Sequence, residues 1–269
     1  MHHPPESNGL PLTTTTAEAN AASKRTHAPP PHIYGSPGAR PRGLGLLKSL
    51  WPIGIILFAM GYLVRTAYPH PEIPYWLNSL LFLAVAVGIA ATANHARQKI
   101  GNHAKGARGE ELAARALATL PPDYDLFHGL TIPGGLRDLE GGADIDHVVV
   151  APQGIFTIET KHWHGDLTVQ DDQLLQDNIL PDRDPIEQTR TAAHRVNRFL
   201  EKNGLPPVPV IPVLLFSTSA ARQLPQDLRG VMLTDLQHLT QRLQAYDAPI
   251  MDPGIRQTII QHLARQVEP

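Results

Sequence analysis

Between Ser49 and Val64 no residue carries a charge, and none does between Ile73 and Ala93. Both runs are apolar on every side: Trp51, Ile53, Ile55, Leu57 and Phe58 in the first, Leu77, Leu80, Leu83, Val85 and Ile89 in the second. A helix that is apolar all round has to be buried, in a large protein core or in lipid. Crossing the hydrocarbon takes roughly 20 such residues, with about 17 as the lower end. The second run meets that length. The first approaches it once the stems of Lys48 and Arg65 reach out to the interfaces. Trp51, Tyr62, Tyr68, Tyr75 and Trp76 lie near the run ends, where amphipathic rings settle, and Pro69, Pro71 and Pro74 crowd the link between them. The pattern predicts two membrane spans, about 49–66 and 73–95, in place of two buried helices in a soluble core. Arg40, Arg42 and Lys48 precede the first span and Arg97, Lys99, Lys105 and Arg108 follow the second, while the link has Arg65 alone at its edge. By the positive-inside bias both termini face the cytoplasm, with a bacterial plasma membrane as the expected location and the lipid bilayer as a partner.

Outside this hairpin (residues 46–98) the composition changes. Residues 1–45 are rich in Pro, His, Thr, Ala and Gly and contain no run of large apolar residues, so a disordered tail is expected there. The whole chain has 23 Lys+Arg against 25 Asp+Glu, a balance that neither demands nor excludes a nucleic-acid partner. The absence of cysteine excludes disulfides, thiolate metal sites and a cysteine nucleophile.

Residues 106–246 read as an α/β domain, with a C-terminal helix in 247–269. Gly106 to Leu120 has helical spacing. Ile145–Val150 and Ile155–Lys161 are β-branched runs either side of Pro152 and Gly154, which predicts a hairpin. A helix begins at Asp184 as N-cap, with Pro185 at its first position and Glu187 completing a capping box, and Gly204 ends it. Val208–Ser217 and Val231–Leu233 read as strands, Thr234–Tyr246 and Pro253–Val267 as helices.

The hairpin carries the chemistry. On its second strand Thr157, Glu159 and Lys161 share one face, and Phe156 and Ile158 the other. The apolar run before them argues for a central strand, so the Glu159–Lys161 pair is more than a weak surface contact. If the connection keeps an even register, positions summing to 305 lie opposite each other. Asp146 then faces Glu159, and Asp144 faces Lys161; an odd register sends Asp146 to the other side. A bulge near Asp146 would serve as well. Pro152 excludes a turn that needs positive φ at that position. Two carboxylates beside a lysine suit phosphodiester hydrolysis: oxygen ligands hold hard Mg²⁺ or Mn²⁺, and the lysine orients or deprotonates the attacking water.

Four features in this order resemble the nuclease-related domain (NERD) family of the PD-(D/E)XK nuclease superfamily. They are Gly109-Glu110 opening a helix, Ile145-Asp146-His147, Gly154-Ile155-Phe156 leading into Ile158-Glu159-Thr160-Lys161, and Asp184-Pro185-Ile186-Glu187-Gln188. The resemblance covers about Gly106 to Phe216, with Ile145-Asp146 where the superfamily has proline-aspartate. It implies a restriction-endonuclease-like mixed sheet flanked by helices. It also implies Asp146, Glu159 and Glu110 as metal ligands, Lys161 as the catalytic lysine and Gln188 as a supporting residue. The expected activity is a membrane-anchored, Mg²⁺- or Mn²⁺-dependent nuclease acting on DNA rather than RNA. The alternative is a membrane-tethered scaffold that binds nucleic acid or protein without turnover.

Glu110 shares a face with Ala113, Ala114 and Leu117, the side expected to pack, whereas Glu111 pairs with Arg115 four residues on. Around the site, His147, His162 and His164 are expected to be solvated or to touch phosphate, Trp163 to pack at the strand end, and Asp144 to be a third ligand or a plain strand-start acid. The glycines 134, 135, 141 and 142 bracket Arg137, Asp138 and Glu140 in what reads as a flexible loop at the site's edge.

Overall fold

The computed structural model describes residues 29–37, 54, 56–61, 64, 74–132, 144–218 and 223–267. The glycine-bracketed loop and most of the first apolar run lie outside them. Among the described residues no helix is long and apolar enough to cross a membrane, so the two-span hairpin is not supported. The second run is not set off as a span of its own. It opens a single helix, α1 (Tyr75–Leu117), 43 residues long, which also contains most of the stretch expected as a separate helix from Gly106. Nothing between the two halves can break it: there is no proline, and Gly101 and Gly106 each cost only about 1 kcal/mol in a helix interior.

The rest is a mixed α/β fold. Its strands are β1 (His32–Tyr34), β2 (Asp125–Leu130), β3 (Ile145–Ala151), β4 (Gly154–Lys161), β5 (Leu167–Gln170), β6 (Gln173–Gln176), β7 (Val210–Phe216), β8 (Asp227–Leu228) and β9 (Val231–Asp235). Seven of them form one sheet in the order β1-β2-β3-β4-β7-β9-β8, and β5-β6 is a separate ribbon. β4 lies mid-sheet, antiparallel to β3 and parallel to β7, as its apolar run predicts. Three more helices complete the fold: α2 (Pro185–Lys202), α3 (Leu239–Gln244) and α4 (Pro253–Ala264). α3 is shorter than expected because Thr234 and Asp235 end β9, and α4 stops at Ala264.

Side-chain alternation divides the core into layers. Val149, Phe156, Ile158 and Val213 pack against Ala113 and Leu117 of α1 and Leu239 and Leu243 of α3. Val148, Val150 and Ile155 face the other way, onto Val196 and Leu200 of α2 and Ile259 and Leu263 of α4. At about 25 cal/mol per Å² of apolar surface removed from water, these two layers supply the main driving force for folding. β1 is a correction to the featureless tail: Tyr34 stacks on Phe127 with ring centroids 4.7 Å apart, which holds the strand parallel to β2.

The register of β3 and β4 is the even one, running from Ala151↔Gly154 to His147↔Ile158. Pro152 and Gln153 make the turn, and neither has positive φ, so the constraint imposed by proline holds. Gly154 takes φ +150°, and a Cβ there would lie 3.0 Å from the Pro209 carbonyl oxygen. The alternation of β3 breaks near Asp146, because Ile145 packs in the same layer as Val148 and Val150. β2 breaks in step: Leu126 packs with the α1 layer, whereas Phe127 and Leu130 both pack with the α2 layer. Between His128↔His147 and Leu130↔Ile145 stands Gly129 at φ +64°, a left-handed conformation that L side chains adopt at a cost. A Cβ on Gly129 would meet nothing nearer than the Ser36 carbonyl oxygen at 3.9 Å, an ordinary contact, so the cost of Gly129→Ala is conformational. The substitution is expected to lower the unfolding free energy by about 1 kcal/mol, and Gly129→Asn by less. Equal midpoints in urea for wild type and Gly129→Ala would refute the strain.

α2 starts as its sequence dictates. Asp184 Oδ1 accepts from the Ile186 and Glu187 amides at 2.9 and 3.3 Å, and Pro185 fills the first turn. The box is completed differently from expectation. Glu187 turns to Arg229 and Arg190, at 3.5 and 3.7 Å, and Arg229 also grips Asp184 at 2.7 Å.

Candidate active site

Three elements deliver side chains to the C-terminal end of β4. The strand's own alternation puts Glu159 and Lys161 on the α2 side, and the cap at Asp184 sets the first turn of α2 so that Gln188 meets them. Lys161 Nζ donates to Glu159 Oε1 at 2.8 Å and to Gln188 Oε1 at 2.9 Å. Gln188 Nε2 donates to the same Glu159 oxygen at 2.5 Å. The three form a closed triangle around a buried carboxylate, with Lys161 18% and Glu159 8% exposed at the side chain. Charge-assisted bonds in so sheltered a place are stronger than surface pairs, which holds Lys161 in one position.

Asp146 reaches the triangle from β3. Its Oδ2 accepts from the Thr160 amide at 2.8 Å, so a side chain occupies the gap where the β3–β4 ladder stops. Burial raises the Asp146 carboxyl well above the ordinary carboxylate range, and the charges of Glu159 and Glu110 push it further; the Thr160 amide and Lys161 oppose the shift. Glu110, on α1, lies near enough for its charge to act on Asp146. The docking is tight: a Cβ on Gly109 would lie 3.0 Å from His162 Cβ and Ser217 Oγ and 3.4 Å from Thr160 Cγ2. A larger residue there would force His162 and Ser217 to give by a few tenths of an ångström.

Of the five residues expected at the site, Glu159, Lys161 and Gln188 are in direct contact, and Asp146 and Glu110 lie near enough for the charges of Glu159 and Glu110 to act on the Asp146 carboxyl. The neighbours sort differently. Asp144 accepts from Thr131 Oγ1 at 2.6 Å. His147 is fully buried, and its Nδ1 lies 2.7 Å from Nδ1 of His128. Trp163 packs against Phe216, centroids 6.2 Å apart. His162 bonds Ser217 Oγ through Nδ1 at 2.7 Å, and the exposed His164 ring meets it edge-on at 5.0 Å. Two contributors escape a reading of the sequence, the Gly129 kink and the Arg229 clamp on the α2 cap. The kink had one signal, a glycine inside an otherwise apolar strand.

A cleft of 440 Å³ opens beside the triangle, lined by Glu159, Gln188, Ile145, Arg183, Thr191 and Arg195 among others. Among the described residues no three His, Asp or Glu side chains are grouped closely enough to hold a metal ion by themselves. The donor set nevertheless fits a hard divalent cation. Asp146 and Glu159 offer oxygen alone, and Mg²⁺ is held by one or two carboxylates with water and substrate phosphate. Burial raises the Asp146 carboxyl first and repulsion from Glu159 and Glu110 adds to it; a bound cation would relieve that repulsion.

Residues 105–217 match the family model described as the nuclease-related domain. The match begins in the last turns of α1 and ends just past β7, and it contains all five residues. An uncharacterized protein of Bacillus anthracis is 32% identical over 90 residues, which is 33% of this chain and 41% of that protein. The chain thus spans about two fifths of the length of the curated relative it matches. No solved structure matches.

Proposed function

We propose that the nuclease-related domain at residues 105–217 hydrolyses phosphodiester bonds in nucleic acid, DNA in preference to RNA, and that the apolar runs anchor it to a bilayer. The observation that supports catalysis best is the Glu159–Lys161–Gln188 triangle with Asp146 and Glu110 beside it. Asp146 and Glu159, with Glu110 near, would hold Mg²⁺ or Mn²⁺, which when bound lowers the pKa of water and offsets charge on the phosphoryl oxygens. Lys161 presents its ammonium at the edge of the cleft, where it orients the attacking water and the phosphate. Gln188 fixes Lys161 and Glu159 relative to each other. Thr160 holds Asp146 through its amide, so the acid keeps its place whether or not it carries a proton.

Anchoring is supported by the uncharged runs and by what α1 leaves bare. Trp76, Leu80, Leu83 and Val87, at helical spacing, are 69, 59, 63 and 59% exposed. Leu57 and Phe58 in the first run are 54 and 80% exposed. Both termini then face the cytoplasm. Retention of the full chain in the membrane fraction after alkaline carbonate is the expected outcome, and release into the supernatant would remove the anchor from the reading.

The full chain is expected to cut labelled duplex DNA with Mg²⁺ or Mn²⁺ and to stop on chelation. Gln188→Ala, which loosens the triangle without removing a charge, is expected to lower kcat about tenfold, at the lower end of what outer partners of a metal site contribute. A folded wild type that binds DNA but never cuts it under these conditions would sink the hydrolase and leave a binding scaffold.

A further inference from the structure

The acids of the site raise a difficulty that the triangle does not resolve. A phosphodiester backbone approaching Asp146, Glu159 and Glu110 meets three carboxylates and one sheltered lysine; Arg183 and Arg195 serve only the Gln188 side, so the α1 side needs positive charge of its own. The structure supplies it on the flank opposite the Gln188 cleft. Gly109 rests on the ends of β4 and β7, in contact distance of His162 and Ser217. The residues on either side of it then diverge: Glu110 turns to Asp146, while Arg108 and Lys105, one helical turn apart, reach His162 closely enough to disfavour its charged form. Lys105, Arg108 and His164 are exposed and His162 is half-buried.

We propose that Lys105, Arg108, His162 and His164 form a phosphate-binding rim that takes the nucleic-acid backbone next to the scissile bond. The two long cations supply charge. His162 gives the rim a fixed point: its Nδ1 bonds Ser217 Oγ at 2.7 Å, which holds the ring beside the two cations. Burial first, then His164, Arg108 and Lys105, lower the His162 pKa, so the ring adds no charge that would compete with the cations beside it. The rim reads charge and spacing, which DNA and RNA share, and carries no sequence preference. It rests on the phosphodiester reading above, yet it concerns binding and needs no turnover.

The test uses the full chain with chelator present, so that nothing is cut. Binding of a labelled 20-base-pair DNA duplex and of the RNA duplex of the same sequence is followed against salt. Each phosphate contact contributes about 0.9 to the slope of log K against log salt for duplex DNA. Lys105→Gln with Arg108→Gln is expected to lower that slope by about 1.8. It should weaken both duplexes alike. Lys202→Gln, about 21 Å along α2 from Gln188, should leave the slope unchanged. A slope in the double variant equal to that of wild type overturns the rim and leaves its cations to anionic lipid headgroups. Loss of DNA binding with RNA binding intact overturns it too, since a phosphate reader cannot separate them. Wild type that binds with the expected slope and never cuts supports the rim while sinking the hydrolase.

Discussion

Asp146→Asn is expected to abolish metal-dependent cleavage and, in the same protein, to raise resistance to unfolding at neutral pH. On the proposed reading the variant loses a charged metal ligand, and a fall of at least about a hundredfold in kcat/KM is the expectation from the cost of weakening such sites. The gain in stability has a separate cause. The carboxyl of Asp146 lies well above its ordinary range in the fold because burial, Glu159 and Glu110 all oppose its charge. An acid whose pKa is raised on folding stabilises the protein only at pH below its unfolded value, and that contribution is lost as pH rises through the folded value. At pH 7 the charged form is thus a burden. Asparagine keeps an acceptor for the Thr160 amide and removes the repulsion. The unfolding free energy measured in urea should rise by more than the roughly 0.5 kcal/mol that surface substitutions produce. A midpoint that falls would show that Lys161 and the Thr160 amide outweigh the two acids.

The second large effect comes from the histidine pair inside the sheet. His128 and His147 are 3% and 0% exposed and face each other through Nδ1 at 2.7 Å. One ring must therefore donate and the other accept, which requires at least one to be neutral. Burial lowers the pKa of His128 from 6.5 to about 4. His147 is lowered well below its ordinary value by burial and by His128. The unfolded chain takes up protons at these rings first, so stability falls as pH drops below 6.5 and levels off near the folded pKa. From pH 6.5 to 5 the loss due to His128 alone is about 1.6 kcal/mol, because the slope reaches 1.36 kcal/mol per unit only once the unfolded ring is fully protonated. His147 adds to it in the same direction.

Asp146 works against this trend, since acid relieves its charge, so the clean measurement is in the Asp146→Asn background. There the unfolding free energy should drop by about 2 kcal/mol or more between pH 6.5 and 5. With His128→Leu and His147→Leu added, that histidine-driven drop should vanish. An unchanged curve on adding the leucines would assign the acid sensitivity to other groups.

The parts of this protein visible in its residues are those governed by local rules. Proline and aspartate fix the start of α2, period-two alternation puts Glu159 with Lys161, and both survive into the fold. The even register was one of two choices in the sequence, because choosing between them depends on how the Pro152-Gln153 turn folds against Pro209. His147 was misjudged as a neighbour of the site for a similar reason. Its orientation is set by His128, 19 residues away on a strand that the sequence analysis did not assign. β5 and β6 went unread because their four-residue runs, Leu167–Gln170 and Gln173–Gln176, are too short and too polar to stand out. The second apolar run and the helix expected from Gly106 read as separate elements because charge changes abruptly after Ala93, whereas α1 runs through both.

That continuity of α1 has a mechanical meaning. A rod without a joint fixes both the distance and the phase between whatever holds its first half and the acid near its far end. Glu110 stands 17 residues past Ala93, an offset of about 25 Å at 1.5 Å per residue. One residue added between them would swing Glu110 through about 100° and away from Asp146, whereas a spacer of seven would restore the bearing and shift it about 10 Å outward. The helix therefore acts as a gauge, setting the height at which the acids work and the direction they face.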